Sequence, residues 1–426
     1  MLSATCTSRT LAWIPARVAR AGLAACALLL LPAPAARTQG GAARPDPAPR
    51  APAVVVLSLD GTTPGMLERA GTPALAALAR AGAVVAHFEP VFPSNTFPNH
   101  VTLMTGVRPE KHGIVNNSFR DPQRGVFDKS NDPSWIQAEP LWSRLAARGI
   151  PSASFHWVGS EGPWTSGRGP REWRSFDAET KVSDKLAQIL AWLDPETTRE
   201  PPRLVSCWLP GADRVAHARG PEDPAVAETL RAQDRELAGF VSALEARGAF
   251  AWLTLFVVSD HGMARVERNV DLRGALEDAG LEAGVYGAGG FATLHLAAGG
   301  DAIPRAQAAA RGLGLEAYPR ARAPAGWPVA NARFGDVVVV APIGTAISSA
   351  RSLEGFARGM HGYRSELPEM EALFLARGRG VVPGTRIERA RSVDLVPTLL
   401  ELLGLPPAEE LDGRSLAREL AGAGRS

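Results

Sequence analysis

Cysteine is scarce, with three in 426 residues, and Cys6 and Cys26 both fall in a leader that reads as removable. Cys207 would then remain alone, so no internal disulfide can form and stability must come from an apolar core. Cys207 lies inside the apolar string 204–209 and reads as a small buried hydrophobe, not a nucleophile. After the leader, no stretch reaches the ~18 to 20 apolar residues that spanning a bilayer requires. An excess of one charge is also missing: Lys+Arg 46 against Asp+Glu 44 leave +2, with no long block of either sign. That balance disfavours a polyanion-binding face and sequence-specific nucleic-acid recognition, but not a small nucleotide. Neither an internal repeat nor a heptad run is present. With 45% hydrophobic residues the chain suits one large domain plus an insertion, or two ordinary domains.

The leader has the pattern of an export signal. Arg9, Arg17 and Arg20 precede an apolar run over 21–31, followed by the small residues Ala33, Ala35 and Ala36. Residues 1–36 are therefore expected to be a signal peptide cleaved near Ala36, giving a periplasmic or secreted protein with no transmembrane span in its mature form. Retention as an N-terminal anchor and lipidation at Cys26 are the alternatives. Residues 37–52, rich in Pro, Ala, Gly and Arg, read as a flexible leader.

From residue 53 onward, short β-branched runs alternate with amphipathic stretches. Strands are predicted at 53–59, 83–88, 151–156, 203–209, 253–259 and 371–376, and helices at 64–81, 97–105, 140–148, 181–193, 224–247 and 393–403. This alternation predicts an α/β fold with a mostly parallel central sheet covered by helices on both faces. The pattern changes over 265–349, where strands at 291–296 and 336–341 and helices at 272–279 and 306–311 suggest a small α+β cap inserted between catalytic parts 53–264 and 350–426. The Gly-rich run 287–292 loosely matches a dinucleotide fingerprint, but it precedes a strand where the fingerprint requires one before it.

Chemistry is suggested by where Asp and His fall. Asp60 follows the strand run 53–59 directly, and Asp260 and His261 follow 253–259 directly. Parallel strands that end in such residues place them at one carboxyl edge, where open α/β sheets bind ligands. Asp213 and His217, spaced i, i+4 after a third strand, share one face of a helical turn. His361 adds another imidazole beyond the cap. Mixed carboxylate and imidazole donors suit zinc or another borderline divalent metal. Singly, each residue has an ordinary explanation as a turn, cap or hydrogen-bonded core group; their joint placement is harder to obtain by chance. His87, His100, His112, His156 and His295 are read as structural. Thr96, in Pro93-Ser94-Asn95-Thr96-Phe97-Pro98-Asn99-His100, is expected at a helix start, either as a simple N-cap or as a nucleophile activated by a metal.

These strings resemble the nucleotide pyrophosphatase/phosphodiesterase family of the alkaline phosphatase superfamily. Leu59-Asp60-Gly61, Phe92 to His100, Thr105-Gly106, His112 to Asn117, Glu139-Pro140-Leu141-Trp142, Ser259 to Gly262, His361-Gly362-Tyr363 and Val393 to Thr398 occur in the family's order over nearly the whole mature chain. The resemblance implies an alkaline-phosphatase-like fold and two Zn2+ ions, one on Asp60, Thr96, Asp260 and His261, the other on Asp213, His217 and His361. It further implies that Asn117 and the Thr96 amide bind a phosphate oxygen, and that Phe97 and Trp208 sandwich a nucleobase; Trp208 also fits a core position. Thr96 would form a phospho-threonine ester whose hydrolysis releases a nucleoside monophosphate. The stretch 211–217 departs from the family in lacking the Gly before His217, where Ala216 stands, and in carrying Arg214. A sulfatase is disfavoured, because 96–100 offers neither the convertible Cys/Ser nor the Arg it needs. Phosphonate, choline-lipid and monoester hydrolysis within the superfamily stay open, as does a non-catalytic metal-binding module.

Overall fold

In the computed structural model, which describes residues 50–162, 164, 167–348 and 357–423, the run Ala53–Leu59 is a central strand with every residue buried. It belongs to an eight-stranded sheet in the order Thr385–Arg391, Ala83–Glu89, Phe374–Gly378, Leu253–Val258, Ala53–Leu59, Leu204–Leu209, Ser152–Phe155, Glu172–Arg174. Phe374–Gly378 alone of these runs antiparallel to both neighbours. The signal peptide, residues 37–49 of the leader and the 349/350 boundary lie outside the described residues.

Strand side chains alternate between faces, and both faces are covered. Val55, Leu57 and Leu59 pack with helices Pro64–Ala70, Pro73–Arg80, Val182–Trp192 and Pro224–Ala246. Val54 and Val56 pack on the other side with Thr96–Thr105, Leu141–Ala146 and Leu395–Leu402. The predicted helix over 64–81 is two helices: Gly71 takes φ 67 at the end of the first, and Pro73 opens the second. Proline lacks the N–H that a continuous helix would use and disfavours helical backbone at the residue before it. The strand expected at 371–376 starts later, at Phe374, because the Leu373 N–H is taken by Ser259 Oγ at 2.7 Å.

A second, four-stranded antiparallel sheet contains Ala283–Ala288, Phe291–Leu296, Val337–Val340 and Glu316–Pro319, in that order. It carries its own core with helices Leu272–Asp278 and Ile303–Gly312. The Gly-rich run is the turn of its first hairpin, joining antiparallel strands. That context has no place for a dinucleotide fingerprint.

Candidate active site

Three neighbouring parallel strands deliver the candidate ligands. Ala53–Leu59 lies between Leu253–Val258 and Leu204–Leu209, with Ser58 opposite both Val258 and Trp208. Asp60 and Asp260 therefore leave adjacent strands at matching heights. Beyond Leu209 the chain turns through Gly211 (φ 52), where an added Cβ would stand 2.1 Å from the Asp60 carbonyl oxygen; only glycine permits this approach. Helix Asp213–Arg219 follows and places Asp213 and His217 on consecutive turns. Thr96 opens the buried helix Thr96–Thr105, and the cap position before it belongs to Asn95. The simple N-cap role for Thr96 is thus excluded, and its hydroxyl lies at the positive end of the helix.

Ligand atoms of Asp60, Asp260 and His261 lie within 4.8 Å of one another, and so do those of Asp213, His261 and His361. His261 joins the two groups, its ring stacked on that of His361 at 3.8 Å between centroids. His217 joins through Nε2, 3.1 Å from Asp213 Oδ1. All three imidazoles spend Nδ1 on backbone carbonyls: His217 on Gly359 (2.8 Å), His261 on Gly262 (2.8 Å) and His361 on Ser94 (3.1 Å). A carbonyl acceptor requires the proton on Nδ1, so in the neutral rings each Nε2 lone pair faces the carboxylates. On the opposing side, Asp60 Oδ1, Asp213 Oδ1 and Asp260 Oδ2 are buried without a hydrogen-bond donor. Buried acceptors facing lone pairs need protons or cations between them, and this donor set fits a metal pair.

Electrostatics point the same way. Burial, then the Asp260 and Asp213 charges, pushes the Asp60 carboxyl well above the usual range. Burial acts likewise on Asp260, but His261 and His100 outweigh it and hold Asp260 at about 2. Asp213 is also lowered against its burial by the neighbouring imidazoles, His217 foremost. Burial and the other two imidazoles hold His361 well below normal. Three carboxylates and three imidazoles sharing one buried site leave negative charge that external cations would balance.

Thr96 Oγ1 stands 3.1 Å from His261 Nε2, between the cluster and the helix start. Asn117 accepts the Phe97 N–H on Oδ1 at 2.8 Å, which leaves its amide NH2 as donor. Asn116 braces this arrangement, its Oδ1 accepting from Asn117 N and from Asn95 Nδ2. Phe97 is half-buried, and its ring meets Phe127. Trp208 donates Nε1 to Asp60 Oδ2 at 2.7 Å while remaining partly exposed. Three further neighbours join the site. Phe176, 47% exposed, sets its ring 5.4 Å from Trp208. Lys185, 1% exposed, donates to the Trp208 carbonyl and lies over its ring. His100, read as structural, is buried with Nδ1 3.3 Å from Asp260 Oδ2 and 2.9 Å from the Thr96 carbonyl. The i, i+4 spacing from Thr96 was the available signal for His100. Phe176 and Lys185 meet Trp208 only through the fold.

A mostly parallel sheet whose carboxyl edge gathers three carboxylates, three imidazoles and a threonine hydroxyl has the donor set of a metal-dependent hydrolase. The model of the type I phosphodiesterase / nucleotide pyrophosphatase family matches residues 54–364, and the chain belongs to that family. It is 30% identical over 382 residues to an uncharacterized pyrophosphatase/phosphodiesterase of Schizosaccharomyces pombe, covering 83% of this chain and 77% of the other. It is 27% identical to the bis(5'-adenosyl)-triphosphatase of Mus musculus, covering 84% and 78%. Among solved structures, human ectonucleotide pyrophosphatase/phosphodiesterase 5 superposes with TM-score 0.79 at 27% identity, covering 86% of this chain and 98% of that one. The murine counterpart, an inactive threonine-to-alanine variant in complex with AMP, gives TM-score 0.78 at 27% identity, covering 84% and 96%. The fold is accordingly alkaline-phosphatase-like, and the protein is a nucleotide pyrophosphatase/phosphodiesterase hydrolase of a metal-dependent family.

Proposed function

We propose that this protein is an exported two-zinc enzyme that cleaves nucleotide phosphodiester or pyrophosphate bonds through a phospho-threonine ester on Thr96. The observation that carries the proposal is the set of three donor-less carboxylate oxygens facing three imidazole Nε2 atoms beside one hydroxyl. Asp60, Thr96, Asp260 and His261 would hold one zinc, and Asp213, His217 and His361 the other. Bound there, the ions would supply positive charge for the phosphoryl oxygens and lower the pKa of the Thr96 hydroxyl.

Thr96 Oγ1 loses its proton to solvent and forms the new bond to phosphorus as the bond to the leaving oxygen breaks, and the electron pair departs with that oxygen. Water then cleaves the phospho-threonine ester, restoring the hydroxyl and releasing a nucleoside monophosphate. The Asn117 amide and the Thr96 N–H, which has no intrahelical acceptor at the first helical position, donate to a non-bridging oxygen. Phe97 and Trp208 offer π faces to a nucleobase, and the exposed Phe176 extends that wall. The two departures from the family pattern are compatible with this site. Ala216 is buried in an unbroken helix, where no glycine is needed, and Arg214 is exposed.

Export rests on the pattern of residues 1–36, and among the described residues no helix is long and apolar enough to cross a membrane. Residues 265–349 act as a cap that buttresses the His361 side of the site. The testing experiment is Thr96→Ala: turnover of p-nitrophenyl thymidine monophosphate should vanish while the fold and bound zinc persist. Activity comparable to the parent would remove Thr96 from the mechanism. Rates on p-nitrophenyl phosphate and bis-p-nitrophenyl phosphate separate this diesterase from monoester hydrolysis, and competition by AMP separates it from a lipid diesterase.

A further inference from the structure

Two of the carboxylates in the cluster are each held through a single oxygen. Asp260 accepts the Gly61 N–H on Oδ1 at 3.1 Å, and its Oδ2 is left buried without a donor. Asp60 accepts the Trp208 indole N–H on Oδ2 at 2.7 Å, and its Oδ1 is left likewise, 3.6 Å from His261 Nε2. Among the described residues no other N–H donates to the Asp60 carboxylate. The Asp60 backbone is fixed separately, through Leu209, Ala212 and Asp213. The two donors differ in kind: one is a main-chain amide, the other a side chain that substitution can remove.

Trp208 reaches Asp60 from a fixed seat. It stands opposite Ser58 in the parallel register, just before Asp60 on the neighbouring strand. The buried Lys185 ammonium donates to its carbonyl at 3.1 Å and lies 4.5 Å from the ring centroid, while Phe176 meets the ring at 5.4 Å. An indole N–H donates and never accepts, so it occupies a carboxylate oxygen without offering a lone pair to a cation. Zinc held by side chains takes four donors in a tetrahedral array. Asp60, Thr96, Asp260 and His261 supply four only when each carboxylate gives a single oxygen. A carboxylate free to turn would close on the ion through both.

We propose that Trp208 is a positioning residue for the metal site: its indole N–H holds Asp60 Oδ2 and reserves Oδ1 for one ion, which favours a four-coordinate metal such as zinc over ions that take more ligands. The inference rests on the two-ion reading above and gives the side chain already set in the nucleobase wall a second, separable role.

The experiment measures metal affinity in chelator-stripped His217→Ala protein, where the site on Asp60 is the one left complete, by competition with a chromophoric chelator, with and without Trp208→Phe. Zinc should bind about 10- to 100-fold more weakly in the double variant, the cost of losing a partner that orients a ligand. Manganese should lose less, because a carboxylate released to bind through both oxygens suits a six-coordinate ion. Unchanged or tighter zinc binding overturns the proposal; so do equal losses on both metals, since a general loss of packing does not discriminate between them. With His217 in place, Trp208→Phe should raise the zinc concentration needed for half-maximal turnover of p-nitrophenyl thymidine monophosphate, while KM at saturating zinc stays near the parent's because phenyl keeps a π face. A raised KM with unchanged zinc dependence would confine Trp208 to the base wall and overturn the proposal. Parent protein that takes up no zinc removes the two-ion reading and this assignment with it; parent uptake of two equivalents with unaltered affinity in Trp208→Phe removes the assignment alone.

Discussion

Asp60 and Lys185 are joined through one residue, Trp208, and the pair shows how far the site reaches into the core. The Trp208 indole donates to Asp60, and its backbone carbonyl accepts from the buried Lys185 ammonium at 3.1 Å. Burial pushes Lys185 down to about 8, against the opposing influence of Cys207 and Asp177. The unfolded chain therefore binds more protons than the folded one between about pH 8 and 10.5, and parent stability rises with pH across that window relative to a variant without the amine. In urea unfolding, the stability of the parent minus that of Lys185→Met should increase from pH 8 to pH 10; parallel curves would show that the ammonium is not penalised in the core. The sequence made Asp60, Asp260 and His261 readable because they follow strongly apolar runs, so strand and edge could be inferred together. Lys185 carried no such signal, since in helix Val182–Trp192 it looks like an ordinary polar position until Leu204–Leu209 is laid against it.

Between elements, the decisive contact is the hairpin Ala283–Ala288/Phe291–Leu296 against the His361 segment. Gly290 donates to the His361 carbonyl, and Gly289 exchanges both backbone hydrogen bonds with Ile347. A Cβ on Gly290 would lie 2.3 Å from Tyr363 N and 2.6 Å from Gly362 C. Gly290→Ala should therefore displace His361 and weaken zinc binding while leaving the thermal midpoint of the metal-free protein nearly unchanged, because the main sheet takes no part in this contact. Undiminished zinc affinity in that variant would detach the cap from the site. This dependence was not legible in the chain: Ala283–Ala288 has neither alternation nor a run of β-branched residues, and both its glycines are poor strand formers. The break at Gly71 and Pro73 was legible in principle, through a C-terminal glycine followed by a helix-opening proline. Helical periodicity continuing across both halves concealed it.

At the scale of the whole molecule, a sheet buried on both faces fixes three strand ends, and the site uses their shared edge. Export and catalysis make separate demands on the chain. If residues 1–36 are removed on export, N-terminal sequencing of the periplasmic or secreted protein should begin at about Arg37; an intact Met1 would favour a retained anchor. The central claim, that the six acidic and imidazole groups hold two ions which catalysis requires, is tested most directly by titrating zinc into chelator-stripped protein while metal content and nucleotide diester turnover are followed together. Activity should be absent from the stripped protein and return as two equivalents bind. Full turnover without metal, or failure of the stripped protein to take up zinc, would contradict the account.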